Sequence, residues 1–303
     1  MEIQEKFSLV MTPNKSQRDF AGLSEVTLYP SIHKFNDGSL KVTLPGIPQY
    51  APIRHQYFTI RAFIESLDDL MVVAQIKDIV RNNCVSQIQS KFDLEIAGTA
   101  YTRYDRVMHS DKSDAFGAKV FANFVNSLKF DTVVLEDAHS KVIENWIENS
   151  YPILQADMVR SLVDDYESYC IVAPDKGSLN KAEDPLVICD KNRDPETGKI
   201  LGMKVAHVAP EASQFEKFLI VDDICEGGGT FLGLADAFRA YSAEFNRAEL
   251  NIYVTHGIFS NNAIAKLLEK YSNIFVYNMK AELYNSLTET QRSRVHFHTL
   301  YKS

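Results

Sequence analysis

The stretch FLIVDDICEGGGTF, residues 218–231, decides the fold predicted for this chain. It begins as an apolar run typical of a buried strand, continues into the adjacent Asp222 and Asp223, and then reaches three consecutive glycines. Glycines let a loop turn tightly and bring its backbone N–H groups close to an anion, and the N-terminus of a following helix adds a positive dipole. This order predicts a phosphate-binding turn; the alternative is an ordinary strand-to-helix turn with a solvated acidic pair.

Other apolar runs of strand length alternate with amphipathic segments of helix length. Because these runs are apolar throughout rather than alternating, they are typical of strands that are covered on both faces. Alternation of strands and helices predicts an α/β fold of the doubly wound kind, with Asp114 as a helix N-cap. The predicted strands are 132–137, 169–175, 185–191, 217–223, 250–259 and 273–278, and the predicted helices are 114–128, 230–245 and 261–272.

Composition indicates a globular protein with two domains. The chain has 303 residues, of which 45% are hydrophobic and 24% charged, enough for two domains of roughly 150 residues each. We place the boundary at residue 150, giving domains 1–150 and 151–303, with the last residues available to pack back on the first domain. A net charge of −8 argues against a nucleic-acid partner, for which a basic surface is expected.

The four cysteines are widely spaced and form no CxxC pair, which argues against a zinc site or a disulfide framework. The first residues lack the basic-then-apolar pattern of a signal peptide, and no apolar run reaches the roughly 18 residues that a membrane span needs. We therefore expect a cytoplasmic protein without a membrane partner.

Polar residues cluster where the predicted strands end, and ligands of such sheets bind at the carboxyl ends of the strands. These candidate residues are Asp137, His139, Asp175, Lys191, Asp222, Asp223, Thr255 and His256.

The glycine stretch resembles the phosphoribosyl-pyrophosphate loop of type I phosphoribosyltransferases and of ribose-phosphate pyrophosphokinases (PRPP synthetases). Further segments favour the second family, and simple phosphoribosyltransferases lack the first five of them. In chain order they are FNDGS (35–39), similar to F-x-D-G-E; YTRYDR (101–106), similar to Y-A-R-Q-D-R; LEDAHS (135–140), similar to V-D-L-H; VAPDKGS (172–178), similar to S-P-D-x-G-G; CDKNR (189–193), similar to the D-K-R-R of the mobile catalytic loop; and VTHGIFSNNAI (254–264), similar to A-T-H-x-x-x-S-x-x-A-I.

The resemblance implies two tandem type I phosphoribosyltransferase-like domains, each a mostly parallel sheet flanked by helices. The N-terminal domain would be the ATP side and the C-terminal domain the ribose-phosphate side. The implied reaction moves the βγ-pyrophosphoryl group of ATP to the anomeric hydroxyl of ribose 5-phosphate, giving PRPP and AMP for nucleotide biosynthesis. Such a transfer needs positioning and neutralisation of an anionic transition state rather than covalent catalysis.

Residue roles follow from the same resemblance. Lys191, Arg193 and His139 would be catalytic, and His139 and Asp175 would hold or orient Mg²⁺. Phe35 and Asp37 would reach the ATP of a neighbouring subunit, which implies a homo-oligomer. The implied ATP-binding residues are Phe35, Asp37, Ser39, Arg103, Tyr104, Asp105 and His139. The implied ribose- and phosphate-binding residues are Asp222, Asp223, Cys225, Glu226, Gly227, Gly228, Gly229 and Thr230.

Each role has an ordinary structural alternative. Phe35 could be a core residue, Asp175 a turn residue, His139 a surface or core histidine, and Lys191 with Arg193 part of a solvated charged loop. These alternatives stay open at the level of the sequence.

The chain also departs from the family pattern. Ser39 replaces a usual Glu, Tyr104 replaces a usual Gln, and residues 107–114 replace a basic segment associated with regulation. The usual D-T-A-G-T becomes EGGGT at 226–230, which removes a Thr hydroxyl and opens space beside the terminal phosphate. ADP-ribose is therefore a second candidate acceptor, and its product would supply NAD synthesis. A catalytically inactive regulatory subunit is the non-enzymatic alternative.

Overall fold

The computed structural model describes residues 2–13, 24–50, 57–84, 90–98, 101–107, 113–181, 183–193 and 200–302; within these ranges the side chains of residues 2, 50, 84, 180, 193, 200 and 201 are not described. The backbone divides into two compact units, one comprising Gln4–Ile153 and the other Leu154–Ser303 together with Met1–Ile3.

The strands are β1 (Glu2–Gln4), β2 (Phe7–Thr12), β3 (Val26–Leu28), β4 (Ser31–Lys34), β5 (Leu40–Thr43), β6 (Tyr57–Phe63), β7 (Lys91–Ala97), β8 (Thr132–Glu136), β9 (Ser150–Ile153), β10 (Tyr169–Ala173), β11 (Val187–Arg193), β12 (Ile200–Val208), β13 (Lys217–Cys225), β14 (Glu249–Gly257), β15 (Asn273–Lys280) and β16 (Val295–Tyr301). The α-helices are α1 (Ile47–Tyr50), α2 (Leu67–Cys84), α3 (Gly117–Ser127), α4 (Lys141–Trp146), α5 (Gln155–Leu162), α6 (Gly229–Tyr241), α7 (Ala243–Arg247), α8 (Ala263–Leu268), α9 (Ala281–Asn285) and α10 (Glu289–Arg292). Short 3₁₀ turns lie at Tyr166–Ser168, Ser178–Asn180 and Pro210–Gln214.

The first unit is built on a six-stranded sheet with the order β3-β2-β6-β7-β8-β9. Strands β6 to β9 run parallel, whereas β2 is antiparallel to both of its neighbours. Buried side chains of β6 and β7, such as Ile60 and Leu94, form its core together with Ile76 of α2 and Phe121 of α3. Strands β4 and β5 form a separate two-stranded hairpin.

The second unit is built on an eight-stranded sheet with the order β1-β16-β15-β14-β13-β10-β11-β12. The run from β16 to β11 is parallel, and β12 closes the edge antiparallel to β11. Strands β10, β13, β14 and β15 are buried along most of their length, as expected for strands covered on both faces. The α/β fold predicted from the apolar runs is therefore confirmed.

Several local predictions differ from the structure. The N-cap of α3 is Phe116, not Asp114. The segment predicted as one helix over 230–245 is two, because Ser242 is extended (φ −155°) and its hydroxyl accepts a hydrogen bond from the Phe245 amide at the start of α7. Apart from these differences, the last strand, β16, is part of the second unit's sheet and contributes buried residues such as Val295 and Leu300 to its core.

In the described part of the chain, no helix combines the length and apolarity needed to cross a bilayer. Cys170, Cys189 and Cys225 are buried free thiols.

Candidate functional site

The carboxyl ends of three neighbouring strands in the second sheet bring charged residues together. Asp175 follows β10 by two residues, Lys191 lies in β11, and Asp222 lies in β13. Because β10 pairs in parallel with both β11 and β13, these ends meet at one edge of the sheet. The resemblance predicts a catalytic loop at Lys191, whereas the residue lies within a strand and pairs with Met203 of β12.

Lys191 contacts the carboxylates of both Asp175 and Asp222. Its Nζ lies 2.7 Å from Oδ2 of Asp175 and 3.8 Å from Oδ2 of Asp222, and its side chain is 9% exposed. The amide and hydroxyl of Ser178 both donate to Oδ1 of Asp175. Burial by itself raises the pKa of Asp175, but the Lys191 charge and the Ser178 hydrogen bonds outweigh burial and hold that pKa below its ordinary value. Asp175 is therefore ionised at neutral pH.

Asp222 and Asp223 form an acidic pair of low exposure near the end of β13. The Asp223 amide donates to Oδ1 of Asp222 at 3.1 Å. Burial, and after it the charge of Asp223, raises the pKa of Asp222 to about 7, although Lys191 opposes the shift. Lys181 contacts the other acid, with its Nζ 3.1 Å from Oδ2 of Asp223. Each member of the pair therefore faces a lysine.

The three glycines of the turn between β13 and α6 differ in their surroundings. Gly228 is buried, has a left-handed φ of +77° and caps α6. A Cβ on Gly228 would lie 3.4 Å from the Leu267 side chain. By contrast, within the described residues a Cβ on Gly229 meets nothing within 4 Å, and one on Gly227 meets the Ser260 hydroxyl at 3.9 Å. Glycine at 228 thus permits the left-handed backbone conformation of the turn, whereas Gly227 and Gly229 leave open space beside it.

The residues beside this turn have distinct environments. Glu226 is exposed, and Thr230 is half-buried in the first turn of α6. Burial, followed by the charge of Asp222, raises the pKa of the Cys225 thiol to about 12. Cys225 is therefore a neutral core thiol at physiological pH rather than a nucleophile.

The glycine turn is held by the segment that follows β14. The amides of Ile258 and Phe259 both donate to the Cys225 carbonyl. The buried Tyr271 hydroxyl donates to the Phe231 carbonyl, in the first turn of α6, at 2.6 Å. These bonds fix the entrance and the exit of the turn, so its conformation is set by the protein itself.

In the first unit, Phe35, Asp37 and Ser39 form the turn between β4 and β5. The Phe35 ring is 47% exposed and meets His33 edge-on at 4.7 Å, so the interpretation of Phe35 as a core residue is wrong. The amide and hydroxyl of Ser39 donate to Oδ1 of Asp37 at 2.9 and 2.7 Å. Hydrogen bonding from the Ser39 hydroxyl, and then from its amide, lowers the pKa of Asp37.

The segment Arg103, Tyr104 and Asp105 precedes α3 in the same unit. Tyr104 is 66% exposed, and its carbonyl accepts a hydrogen bond from the Ala118 amide at 2.9 Å. A Cβ on Gly117 would lie 2.9 Å from Cβ of Tyr104, so glycine permits this close contact. Arg103 is exposed, and Asp105 is half-buried. The start of α3 therefore fixes the backbone of this segment, in which Arg103 and Tyr104 are exposed.

The end of β8 carries Asp137 and His139. Asp137 is buried in a left-handed conformation (φ +41°), and its amide donates to the Ile153 carbonyl of β9 at 3.1 Å. His139 is half-buried. A positive φ costs free energy in a non-glycine residue, and residues held in such conformations cluster at functional sites. The end of β8 is therefore a candidate site on structural grounds as well.

No protein-family model matches the chain. Curated proteins named ribose-phosphate pyrophosphokinase are similar to it. The one from Cereibacter sphaeroides is 28% identical over 214 residues, which cover 66% of this chain and 59% of that protein. The one from Pasteurella multocida is 25% identical over 267 residues, covering 83% and 77%, and the one from Shewanella oneidensis is 28% identical over 247 residues, covering 77% and 72%.

The chain is a relative of the ribose-phosphate pyrophosphokinases. It spans less than two thirds of the length of several of them, 59% for the Cereibacter protein. A crystal structure of phosphoribosylpyrophosphate synthetase from Mycobacterium smegmatis superimposes with a TM-score of 0.64 at 18% identity, over 90% of this chain and 86% of that one. This likeness establishes the shared fold, with two phosphoribosyltransferase-like domains.

The donor chemistry of the acidic edge suits magnesium. Asp175, Asp222 and Asp223 supply carboxylate oxygens, and Mg²⁺ is usually held by one or two carboxylates, waters and substrate phosphates rather than by a protein cage. Among the described residues, no three His, Cys, Asp or Glu side chains are grouped to hold a metal ion. The other predicted ligand, His139, belongs to the first unit.

The structure adds one residue that the sequence analysis leaves unassigned. Lys181 has no motif of its own, and it reaches Asp223 because the 3₁₀ turn Ser178–Asn180 folds the chain back after β10. The side chain of Arg193, predicted to be catalytic, lies outside the described residues, as does most of the segment 107–114.

Proposed function

We propose that this protein is a Mg-ATP-dependent diphosphokinase that transfers the βγ-pyrophosphoryl group of ATP to the anomeric hydroxyl of ribose 5-phosphate. The observation that carries the proposal is the contact of Lys191 with both Asp175 and Asp222, because Asp222 lies on β13, the strand that leads into the glycine turn. A cation and carboxylates beside an anion-binding turn are the groups that such a transfer requires.

The reaction forms a bond between the anomeric oxygen and the β-phosphorus and breaks the bond from that phosphorus to the oxygen that leaves with AMP. The proton of the anomeric hydroxyl is released. Lys191 and Arg193 would stabilise the charge on the transferred group, since Lys and Arg clamps act strongly in a water-poor site. To do so, Lys191 has to exchange its contact with Asp175 for a phosphoryl oxygen. Mg²⁺, when bound, would offset the phosphate charge beside Asp175.

The acceptor would lie along β13 and the glycine turn. Asp222 and Asp223 would accept hydrogen bonds from the ribose hydroxyls. Residues 225–230 would bind the 5-phosphate through backbone N–H groups, the start of α6 and the Thr230 hydroxyl.

The nucleotide would lie against the first unit. We assign adenine stacking to the exposed Phe35, its amino group to Asp37 and Ser39, and the phosphates to Arg103 and His139, with Tyr104 and Asp105 beside them. Phe35 and Asp37 would act on the nucleotide of a neighbouring subunit, which requires a homo-oligomer.

ADP-ribose is the second candidate acceptor, and Gly227 favours it. Its Cβ position is open except for the Ser260 hydroxyl at 3.9 Å in the described part of the chain. That space can accommodate a 5-phosphate that continues into a second phosphate instead of ending as a dianion. The product would be ADP-ribose pyrophosphate, a precursor for NAD synthesis.

The test measures AMP formation from Mg-ATP with ribose 5-phosphate and, separately, with ADP-ribose. We expect AMP with ribose 5-phosphate; AMP with ADP-ribose alone would assign the second acceptor. Lys191→Met serves as the catalytically impaired control. Absence of AMP with both acceptors would reject both enzymatic assignments and favour the inactive regulatory subunit.

A further inference from the structure

Lys181 makes a contact of low exposure with one member of the acidic pair. The distance from its Nζ to Oδ2 of Asp223 is 3.1 Å, and the two side chains are 21% and 9% exposed. The Lys181 amide donates to the Ser178 carbonyl, and Ser178 in turn donates to Asp175. The lysine is therefore carried by a turn whose start is tied to Asp175 and whose end reaches Asp223.

The charges at this edge explain why a second lysine matters. Lys191 lies closer to Asp175, at 2.7 Å, than to Asp222, at 3.8 Å, so its charge is shared between two acids. Asp223 is adjacent to Asp222 in the chain and less exposed. Lys191 contacts only Asp175 and Asp222 in these ion pairs, so the contact that orients the Asp223 carboxylate comes from Lys181.

We propose that Lys181 is a positioning residue for the acceptor sugar. Its contact with Oδ2 holds the Asp223 carboxylate in one orientation, so that Oδ1 accepts a hydrogen bond from a ribose hydroxyl. This inference rests on the proposed function, because it assigns Asp223 to the ribose. It predicts that Lys181 governs affinity for the sugar rather than the transfer step, since Lys181 acts through Asp223 and contacts no reacting atom.

The experiment compares wild type, Lys181→Met and Lys181→Arg by steady-state kinetics and by calorimetric binding of ribose 5-phosphate and ADP-ribose without ATP. For Lys181→Met we expect KM and Kd for the acceptor that serves wild type to rise about tenfold, with kcat and the KM for ATP unchanged. Lys181→Arg keeps the positive charge and is expected to recover most of the affinity. Lys270→Met, which removes a half-buried lysine paired with Asp236 in the same unit, is the matched control and leaves all values unchanged.

The outcomes separate the inference from the proposed function. Normal acceptor affinity in Lys181→Met, or a loss confined to kcat, overturns the positioning role even if wild type produces AMP. Binding of an acceptor by wild type without AMP formation rejects the proposed reaction, and the comparison of Kd values still decides the role of Lys181. If wild type binds neither acceptor, the proposed function and the positioning role are both rejected.

Discussion

The Nζ atom of Lys191 lies 2.7 Å from Oδ2 of Asp175, with the lysine held on strand β11 and the aspartate just beyond β10. The Lys191 side chain is 9% exposed, so this is a contact of low exposure and not a surface ion pair. Such pairs contribute little net stability, because desolvation offsets the attraction. The Lys191–Asp175 pair, at the carboxyl edge of the sheet, is therefore better explained by a role in function than by a contribution to stability.

Removing the Lys191 ammonium is expected to abolish most of the catalysis. We expect Lys191→Met to lower AMP-forming turnover by about 10²–10³, the typical contribution of one electrostatic stabiliser. Lys204→Met on the neighbouring strand is the control; Lys204 pairs with Asp190 at 3.7 Å with its side chain 72% exposed, and turnover should stay near normal. The rate of AMP release in single-turnover experiments is measured for both variants. Near-normal turnover of Lys191→Met contradicts the assignment.

The stability of the protein is expected to depend on the ionisation of Asp222. Its pKa in the folded state is about 7, above the ordinary 3.8, mainly because of burial. Between these values the unfolded chain carries the charge and the folded chain does not, so the contribution of Asp222 to stability falls as pH rises and is constant above pH 7. Asp222→Asn lacks this loss and should be more stable than wild type at pH 8, by on the order of 1–3 kcal/mol.

Urea unfolding of wild type and Asp222→Asn at pH 5, 6, 7 and 8 checks this prediction. The difference in unfolding free energy should grow from pH 5 to pH 7 and then level off. A difference that is constant over this range would show that Asp222 titrates alike in both states.

Two glycines of the same turn are expected to respond differently to alanine. Gly228→Ala forces a left-handed φ of +77° on alanine and brings its Cβ within 3.4 Å of Leu267, so the free energy of unfolding should fall by about 1–2 kcal/mol. Gly227→Ala meets open space and should change it by less than about 0.5 kcal/mol. Chemical denaturation measures both; equal losses would mean that the turn adopts another conformation.

Gly227→Thr tests the specificity of the acceptor site. A threonine hydroxyl here returns the donor that the usual D-T-A-G-T loop contains, and the nearby Ser260 hydroxyl, 3.9 Å from the Cβ position, leaves room for it. We expect the KM for ribose 5-phosphate to fall about tenfold, and the KM for ADP-ribose to rise because the space is filled. Competition between the two acceptors gives the ratio, with Gly227→Val as the control of similar shape without the hydroxyl. If Gly227→Val shifts the ratio equally, volume rather than the hydroxyl sets the preference.

Phe35 is expected to affect nucleotide binding without affecting folding. Because its ring is 47% exposed, Phe35→Ala should change the free energy of unfolding by less than about 0.5 kcal/mol. Loss of a base-stacking ring should raise the KM for ATP about tenfold. Tyr29→Ala, which removes a ring that is 52% exposed and precedes β4, is the control. A normal KM for ATP in Phe35→Ala would remove the hairpin turn from the nucleotide site.

The sequence by itself predicted the parts of the fold that depend on local composition. The apolar runs around 169–175, 217–223, 250–259 and 273–278 correspond to β10, β13, β14 and β15, because a strand buried on both faces must be apolar at every position. The acidic pair within β13 and the glycines that follow this strand likewise form a local sequence pattern. The sequence therefore predicted the turn into α6. The strand β6 was missed because its burial alternates, and seven residues of mixed polarity give a weak signal.

The tertiary structure decided how the charges are arranged. No sequence pattern predicts that Lys191 lies in a strand and contacts Asp175, or that Lys181 contacts Asp223. These partners are separated in the chain by up to 42 residues. The different roles of Gly227 and Gly228 likewise depend on Ser260 and Leu267, which follow another strand. Local sequence fixes which backbone conformations are favoured, whereas contacts and pKa values depend on neighbours that only the folded sheet brings together.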